Sequence, residues 1–278
     1  MKKIFAYDLD GTLLMPNNKV HPGTKKAMWE THQQGHLHVI ATGRGVMKVL
    51  PLIEKKDIEH IDYIVCSNGT AIYDLKNKKL TVLKQMDKAA FEVARDAALK
   101  YESILTIDTD KYNGTYFPND QLPSWIPSDQ VYDMNVVDHA NIEKLQTIVN
   151  DETTKITQMA LRNPQEKAAA ITNEVRAKLG EDKYEVYLTN LVYTDINPKG
   201  TSKWKGLVEL AKMLNKPVDS IVPFGDSGND LEMLTEANLS FTMCNGAPDV
   251  VAQAQNVIGH HETDTIGQTI LKVANNQF

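Results

Sequence analysis

Two aspartates, Asp8 and Asp10, directly follow a short apolar run at residues 4–7. Such a run is typical of a buried strand in a parallel sheet, and open α/β sheets bind ligands where their strands end. On an extended chain, side chains two residues apart point to the same side, so both carboxylates are predicted to face one small volume. Their mutual repulsion then requires a nearby cation. The alternative is a hairpin turn at Asp10-Gly11, but the next residues do not alternate as a returning strand would.

Three later stretches carry polar residues in similar places. Residues 225–230 read Gly-Asp-Ser-Gly-Asn-Asp and follow an apolar run at 220–224, and a Thr-Gly-Arg triplet at 42–44 closes another apolar run. Lys203 stands at the start of a helical pattern. Taken singly, each stretch has an ordinary interpretation. Residues 225–230 are typical of a turn with a helix cap, residues 42–44 of a strand end, and Lys203 of a solvated side chain. Their occurrence together, each beside a predicted strand end or helix start, is what favours one shared functional site.

The elements around these residues alternate between strand and helix. A helix predicted from Pro22 to Gly35 separates the first strand from an apolar run at 36–41, and another apolar run follows at 63–66. This alternation predicts right-handed βαβ units and a parallel sheet. From residue 84 the pattern changes to strands with helices set against them, interrupted by an irregular stretch with Pro118, Pro123 and Pro127. We therefore predict an α/β domain at 1–83 and 190–278, with an α+β domain inserted at 84–189.

Composition limits the class of protein. The chain has 278 residues, with 36 acidic and 30 basic side chains that give a net charge of −6. This balance argues against non-specific nucleic-acid binding and against docking on an anionic membrane. No apolar run approaches the length of a membrane span, and the first acid comes too early for a signal-peptide core. With Cys66 and Cys244 far apart and both predicted to be free, buried thiols, we expect a cytoplasmic protein.

The four stretches, in this order and with an insertion between the second and third, resemble the haloacid dehalogenase (HAD) superfamily. The position of the insertion is similar to that of the Cof-type, subfamily IIB phosphatases. The resemblance covers nearly the whole chain, although the inserted sequence itself matches only loosely. It implies an α/β fold with a Rossmannoid core around a parallel sheet and an inserted α+β cap of the C2B type. It also implies that the strands ending at Thr42 and Asp226 flank the strand ending at Asp8.

The resemblance assigns a role to each residue. Asp8 would attack phosphorus as the nucleophile, and Asp10 would serve as general acid and then as general base. A carboxylate near a phosphate charge is repelled by about 4 kcal/mol per charge pair at 4 Å in an effective dielectric near 20. Mg²⁺ is the implied cofactor that neutralises this repulsion. The implied metal ligands are Asp8, the Asp10 carbonyl and Asp226; the implied phosphate-binding residues are Thr42, Gly43, Lys203 and Asn229; and Leu9, Ser227 and Asp230 would support them.

The predicted function is a Mg²⁺-dependent phosphatase that acts on small phosphomonoesters through an aspartyl-phosphate. Sugar phosphates, or phosphorylated cofactors such as FMN or pyridoxal phosphate, are the expected substrates, and the inserted domain is expected to select among them. One alternative is a phosphomutase of the phosphomannomutase type. Another is a non-catalytic sensor of a phosphorylated metabolite, although a sensor needs no nucleophile. We expect a monomer or a homodimer.

Two further groups have open interpretations. His36 and His38 share a strand face, where they either bind a metal or pack in the ordinary way. Four aromatic side chains of the inserted segment either line a substrate pocket or form that domain's own core; they are Tyr112, Tyr116, Phe117 and Trp125.

Overall fold

A computed structural model describes residues 2–126 and 138–278. The strands in this part of the chain are β1 (Ile4–Tyr7), β2 (Leu37–Ala41), β3 (Tyr63–Cys66), β4 (Ala71–Asp74), β5 (Lys79–Val82), β6 (Ile104–Thr109), β7 (Asn113–Tyr116), β8 (Asp138–His139), β9 (Ile156–Arg162), β10 (Tyr184–Thr189), β11 (Tyr193–Pro198), β12 (Ile221–Gly225), β13 (Phe241–Met243) and β14 (Val257–Ile258). The helices there are α1 (Pro22–Gln33), α2 (Val46–Glu54), α3 (Ala89–Tyr101), α4 (Ile142–Asn150), α5 (Gln165–Leu179), α6 (Lys203–Met213), α7 (Leu231–Glu236), α8 (Pro248–Val251) and α9 (Thr265–Ala274).

The chain forms two compact units. The first comprises Met1–Gly43, Leu50–Thr81 and Ser202–Phe278. The second comprises Arg44–Val49 and Val82–Thr201. Among the described residues, no helix is long and apolar enough to cross a membrane.

The first unit is built on an eight-stranded sheet with the order β14-β13-β12-β1-β2-β3-β4-β5. Strand β1 lies at its centre, parallel to both neighbours, and Tyr7 pairs with Phe224 on one side and Ile40 on the other. All four residues of β1 are buried, as its apolar sequence predicts. The α/β class and the placement of β2 and β12 beside β1 are confirmed, so three strand ends meet at one edge of the sheet.

A row of stacked aromatic rings crosses the sheet one residue below that edge. The ring of Tyr7 lies 5.3 Å from that of Phe224, and Phe224 lies 5.2 Å from Phe241. On the other side, the imidazole of His38 stacks on Tyr7 at 5.9 Å. Its ring nitrogens bond the Tyr7 hydroxyl at 2.8 Å and the Thr31 hydroxyl at 3.1 Å. His38 is therefore an ordinary buried packing residue, and the metal-binding alternative for it is not needed.

Burial of His38 makes the stability of the protein sensitive to acid. Burial, and secondarily the neighbouring imidazoles, lowers the pKa of His38 from 6.5 to about 3. As the pH falls below 6.5, the unfolded chain takes up this proton before the folded one does. We therefore expect His38 alone to reduce the free energy of unfolding by about 1.4 kcal/mol per pH unit between about pH 6 and pH 3. Urea unfolding at a series of pH values measures this slope.

The variant His38→Gln keeps a polar side chain but cannot titrate. It should lose stability less steeply with acid than the parent protein does. The matched control is His139→Gln, since the His139 side chain is 46% exposed. Equal slopes for the parent and His38→Gln would contradict the assignment.

The second unit is built on a six-stranded sheet with the order β10-β11-β9-β6-β7-β8. Its buried core includes Phe91 of α3, Ile171 of α5 and Leu161 of β9. Tyr112 and Tyr116 pack against the same core, which supports the core interpretation of these two aromatics. This unit combines strands with helices, as predicted for the inserted α+β domain.

Two parts of the predicted first domain lie in the second unit, Arg44–Val49 and residues 190–201. Residues 190–201 were predicted to belong to the first domain, but β11 pairs antiparallel with β10 and β9 in the second sheet. The chain does not pass to the first unit at Asn190 but makes a hairpin turn there, in which Asn190 and Leu191 both have positive φ. Leucine is an unusual residue for that conformation, so the sequence did not indicate a turn. The predicted irregular stretch begins with a short 3₁₀ turn at Pro118–Asp120, and its Pro127 lies outside the described residues.

Candidate active site

Asp8 leaves the central strand at the edge where β1, β2 and β12 end together. Its backbone N–H still donates to the Phe224 carbonyl at 2.9 Å, so the position of Asp8 is fixed by the sheet. The next residue, Leu9, is fully buried, and its carbonyl accepts hydrogen bonds from the N–H groups of Thr12 and Leu14. These bonds turn the chain back over the strand end. Asp8 is consequently only 5% exposed.

Lys203 reaches Asp8 from the first turn of α6. The start of this helix lies so close to the loop after β3 that a Cβ at Gly69 would be only 1.9 Å from the Ser202 carbonyl oxygen. Gly69 also has a φ of +87°, a conformation that glycine adopts without strain. From here the Lys203 Nζ contacts Asp8 Oδ1 at 2.6 Å and Asp230 Oδ1 at 2.7 Å. The ammonium group is thus buried between two carboxylates.

Asp230 organises the loop that carries Asp226. Its Oδ2 accepts hydrogen bonds from the backbone N–H groups of Asp226 and Ser227, both at 3.0 Å, and from the Ser227 hydroxyl at 3.2 Å. The Ser227 and Asp230 side chains thereby form a capping box at the short 3₁₀ turn Gly228–Asp230. Because Asp230 Oδ1 also accepts a hydrogen bond from the Lys203 ammonium, Asp230 positions both the lysine and the loop.

The acids are crowded in a way that favours a bound cation. Carboxylate oxygens of Asp8, Asp226 and Asp230 lie within 4.8 Å of one another. Burial raises the pKa of Asp8 well above its usual value despite the opposing charge of Lys203, and burial with the Asp230 charge raises the pKa of Asp226 to about 7. Asp10 lies near enough for its charge to raise the pKa of both Asp8 and Asp226. Burial alone lowers the pKa of Lys203, but Asp230 and Asp8 raise it above its usual value, so the lysine stays charged.

This donor set fits Mg²⁺. The ion prefers hard oxygen ligands and keeps several waters, so it needs few protein groups. Its two positive charges would favour the ionised carboxylates that burial now disfavours. Of the ligands that the resemblance implies, Asp8 and Asp226 contribute carboxylates to this cluster.

The predicted phosphate-binding residues are linked through Asn68. The Asn68 N–H donates to the Thr42 carbonyl at 3.1 Å, and its Oδ1 accepts from the Asn229 amide at 2.9 Å. Thr42 is buried and the next residue, Gly43, is half-buried. Asn68 itself was not among the site residues predicted from the sequence. The available signal was an Asn-Gly pair directly after a buried strand, where positive φ is common.

Thr12 is a second residue without a role in the sequence analysis. Its hydroxyl donates to Asp226 Oδ1 at 2.5 Å and so holds the carboxylate in place. The bond joins residues 214 apart in the chain. Only the pairing of β1 with β12 brings them together, which is why no local pattern identified it.

Gly11 gives the loop its close approach to Asp226. A Cβ at this position would lie 2.5 Å from Asp226 Oδ2, and the φ of Gly11 is +83°. We expect Gly11→Ala to destabilise the protein by about 2 to 4 kcal/mol, the sum of backbone strain and a displaced carboxylate. It should also weaken Mg²⁺ binding, as measured by titration calorimetry.

Gly35→Ala is the matched control for backbone strain. Gly35 has a nearly equal φ of +85°, but the nearest atom to an added Cβ is 3.7 Å away in the flexible Lys2 side chain. Gly35→Ala should lower the free energy of unfolding by about 1 to 2 kcal/mol and leave Mg²⁺ affinity unchanged. Equal effects of the two substitutions would show that contact with Asp226 is unimportant.

The family model for haloacid dehalogenase-like hydrolases matches residues 5–270. The chain therefore belongs to the haloacid dehalogenase-like hydrolases. It is similar to the HMP-PP phosphatase of Cronobacter sakazakii, with 26% identity over 272 residues that cover 94% of this chain and 91% of the relative. It is also similar to the pyridoxal phosphate phosphatase YbhA of Escherichia coli, with 26% identity over 282 residues that cover 96% and 97%.

Solved structures share the fold. A haloacid dehalogenase-like hydrolase from Bacteroides thetaiotaomicron superposes with a TM-score of 0.78 at 17% identity, covering 98% of this chain and all of that one. A sugar phosphatase of HAD subclass IIB gives a TM-score of 0.81 at 21% identity, with 98% and 99% coverage. The predicted family and fold are confirmed.

Proposed function

We propose that this protein is a Mg²⁺-dependent phosphatase that hydrolyses small phosphomonoesters through an aspartyl-phosphate. The observation that carries the proposal is the buried Asp8 carboxylate held 2.6 Å from the Lys203 ammonium, within 4.8 Å of two further carboxylates. A binding protein has no need to bury a nucleophile among like charges at such electrostatic cost. A phosphoryl-transfer enzyme needs the nucleophile, the lysine and the cation site together.

In the proposed reaction, these groups act in turn. An Asp8 oxygen forms a bond to phosphorus while the bond from phosphorus to the leaving oxygen breaks. Asp10 donates its proton to that oxygen, then takes a proton from the water that hydrolyses the aspartyl-phosphate. Lys203 keeps the nucleophilic carboxylate oriented and balances part of the added negative charge. Mg²⁺, held by Asp8, Asp226 and the Asp10 carbonyl, supplies electrostatic stabilisation of the phosphoryl oxygens when bound.

The class of substrate is inferred from the relatives. Two of those named above are an HMP-PP phosphatase and a pyridoxal phosphate phosphatase, and one structural neighbour is a sugar phosphatase. We propose that this protein takes a small phosphorylated metabolite of the same kind and that residues 84–189 select it. The cytoplasmic location and the monomeric or homodimeric state stay predictions.

A panel of phosphorylated metabolites tests the proposal. Purified protein is incubated with sugar phosphates, FMN and pyridoxal phosphate, with Mg²⁺ or with EDTA, and released phosphate is measured. We expect Mg²⁺-dependent release from at least one member. Binding without release would favour a sensor, and conversion of a hexose 1-phosphate to the 6-phosphate without release would favour a phosphomutase.

The two candidate metal ligands outside the nucleophile should respond differently to substitution. Asp10→Asn leaves the backbone carbonyl in place, so we expect Mg²⁺ affinity to fall by less than about tenfold. Asp226→Asn removes a charged ligand and should weaken Mg²⁺ binding by at least about a hundredfold. Titration calorimetry of both variants measures the difference. A stronger effect of Asp10→Asn would mean that its carboxylate, not its carbonyl, is the ligand.

A further inference from the structure

The loop after β14 brings together three side chains that the phosphatase reaction does not use. His260, His261 and Glu262 place one ligand atom each within 4.8 Å of the others. The two imidazole centroids are 4.8 Å apart, and His261 Nε2 lies 3.9 Å from Glu262 Oε1. Imidazole nitrogens with one carboxylate are typical ligands of Zn²⁺ and other borderline transition metals. The all-oxygen acid cluster around Asp8, in contrast, suits Mg²⁺.

The His261 ring is already oriented as a metal ligand. Its Nδ1 lies 2.8 Å from the Leu14 carbonyl oxygen, which can only accept, so Nδ1 carries the proton. The lone pair of the neutral ring is therefore on Nε2, the nitrogen nearer to Glu262. Metal-binding histidines commonly donate their second ring N–H to a backbone carbonyl in this way. The His261 side chain is only 13% exposed, so few other orientations are open to it.

His260 and Glu262 are exposed and adaptable. His260 Nδ1 accepts a hydrogen bond of 3.3 Å from the Glu262 N–H. If His260 binds a metal through Nε2, its proton must move to Nδ1 and this long bond is given up. The loop is closed independently, because the Thr263 N–H and hydroxyl both bond the His260 carbonyl. The turn therefore persists whichever nitrogen of His260 binds.

We propose that His260, His261 and Glu262 form a second metal site, which takes a borderline divalent ion such as Zn²⁺ with water completing its coordination. The site is tied to the loop that follows Asp8. The His261 ring donates to the Leu14 carbonyl, and the His261 backbone N–H donates to Asn245 Oδ1. The Asn245 side-chain amide in turn donates to the Gly11 carbonyl at 2.8 Å. An ion that immobilises His261 therefore stabilises residues 11–14.

Co²⁺ is the probe, because it replaces Zn²⁺ in such sites and has visible absorption. The full-length protein is titrated with Co²⁺ in excess Mg²⁺, which occupies the oxygen site. We expect visible bands that saturate at one equivalent and are abolished by Zn²⁺. His261→Ala and His260→Ala should each weaken Co²⁺ binding by at least about tenfold, while circular dichroism shows an intact fold.

Two controls separate this site from others. His139→Ala removes an exposed imidazole elsewhere and should bind Co²⁺ as the parent does. Cys244→Ser tests whether the exposed Cys244 thiol binds the metal instead. Cys244 lies close to this loop, since its backbone N–H donates to the Ile258 carbonyl. Unchanged titration in His261→Ala, or loss of the bands only in Cys244→Ser, would overturn the proposal.

Hydrogen exchange tests the connection to the catalytic loop. Zn²⁺ should slow amide exchange in residues 11–14 of the parent and not of His261→Ala. This readout needs no phosphatase activity, so it is independent of the proposed reaction. Equal exchange with and without Zn²⁺ in the parent would show that the site is not connected to that loop.

Discussion

Asp8→Asn should lower phosphate release by at least about 10³-fold, equivalent to about 4 kcal/mol of lost transition-state stabilisation. An amide oxygen is too weak a nucleophile to form the aspartyl-phosphate. The fold should persist, because the amide oxygen can still accept the hydrogen bond from Lys203 and Asp230 still pairs with that lysine. The loss is measured as phosphate release under saturating substrate and Mg²⁺.

Stability provides a second readout for this variant. Burial raises the pKa of Asp8, so its charged form is costly to the folded protein. Without Mg²⁺, Asp8→Asn should therefore be as stable as the parent or more so. Asp249→Asn, an exposed carboxylate of the same unit, is the control and should leave turnover unchanged. If Asp8→Asn kept its turnover, Asp8 would not be the nucleophile.

Lys203→Met should damage both folding and catalysis. It leaves the Asp8 and Asp230 carboxylates buried without the cation that separates them, which typically costs 3–5 kcal/mol, so we expect a loss of about 4 kcal/mol of stability. Turnover should fall by about 10² to 10³, the usual effect of removing one group that stabilises developing charge. Urea unfolding and phosphate release measure the two effects separately. Added Mg²⁺ should stabilise this variant more than it stabilises the parent.

Lys205→Met is the matched control on the same helix. The Lys205 side chain is 51% exposed and its nearest carboxylate, on Glu232, is 3.9 Å away. It should change stability by no more than about 0.5 kcal/mol. The double variant Lys203→Met with Asp230→Asn removes one of the two buried carboxylates that are left without a cation. It should be more stable than Lys203→Met alone. If it is not, charge repulsion is not the cause of the instability.

The strand ends could be predicted from the sequence because each combines an apolar run with polar residues directly after it. Asp8 and Asp226 both follow such runs, and the resemblance supplied the order in which the strands lie. The contacts that hold these residues could not be predicted in the same way. The Thr12 bond to Asp226 depends on two loops meeting across paired strands, and so does the Asn68 bond to Asn229.

The second unit shows a different limit. Its helices carry apolar residues at helical spacing, for example Phe91 and Ala98 of α3, and a sequence reveals this pattern. The assignment of β11 failed because its sequence, with Asp195 and Asn197 buried in the sheet, lacks a clear apolar pattern. Buried polar side chains are satisfied by specific neighbours, and a single sequence does not reveal which neighbours those are.

The ion pair between Lys203 and Asp8 joins residues 195 positions apart, which has a consequence for synthesis of the chain. At about 5 to 20 residues per second, a ribosome adds Lys203 roughly 10 to 40 s after Asp8. Throughout that interval β1 also lacks its neighbour β12. The nascent protein therefore carries a hydrophobic strand and unneutralised acids, and it becomes competent for catalysis only after its last quarter has emerged and docked.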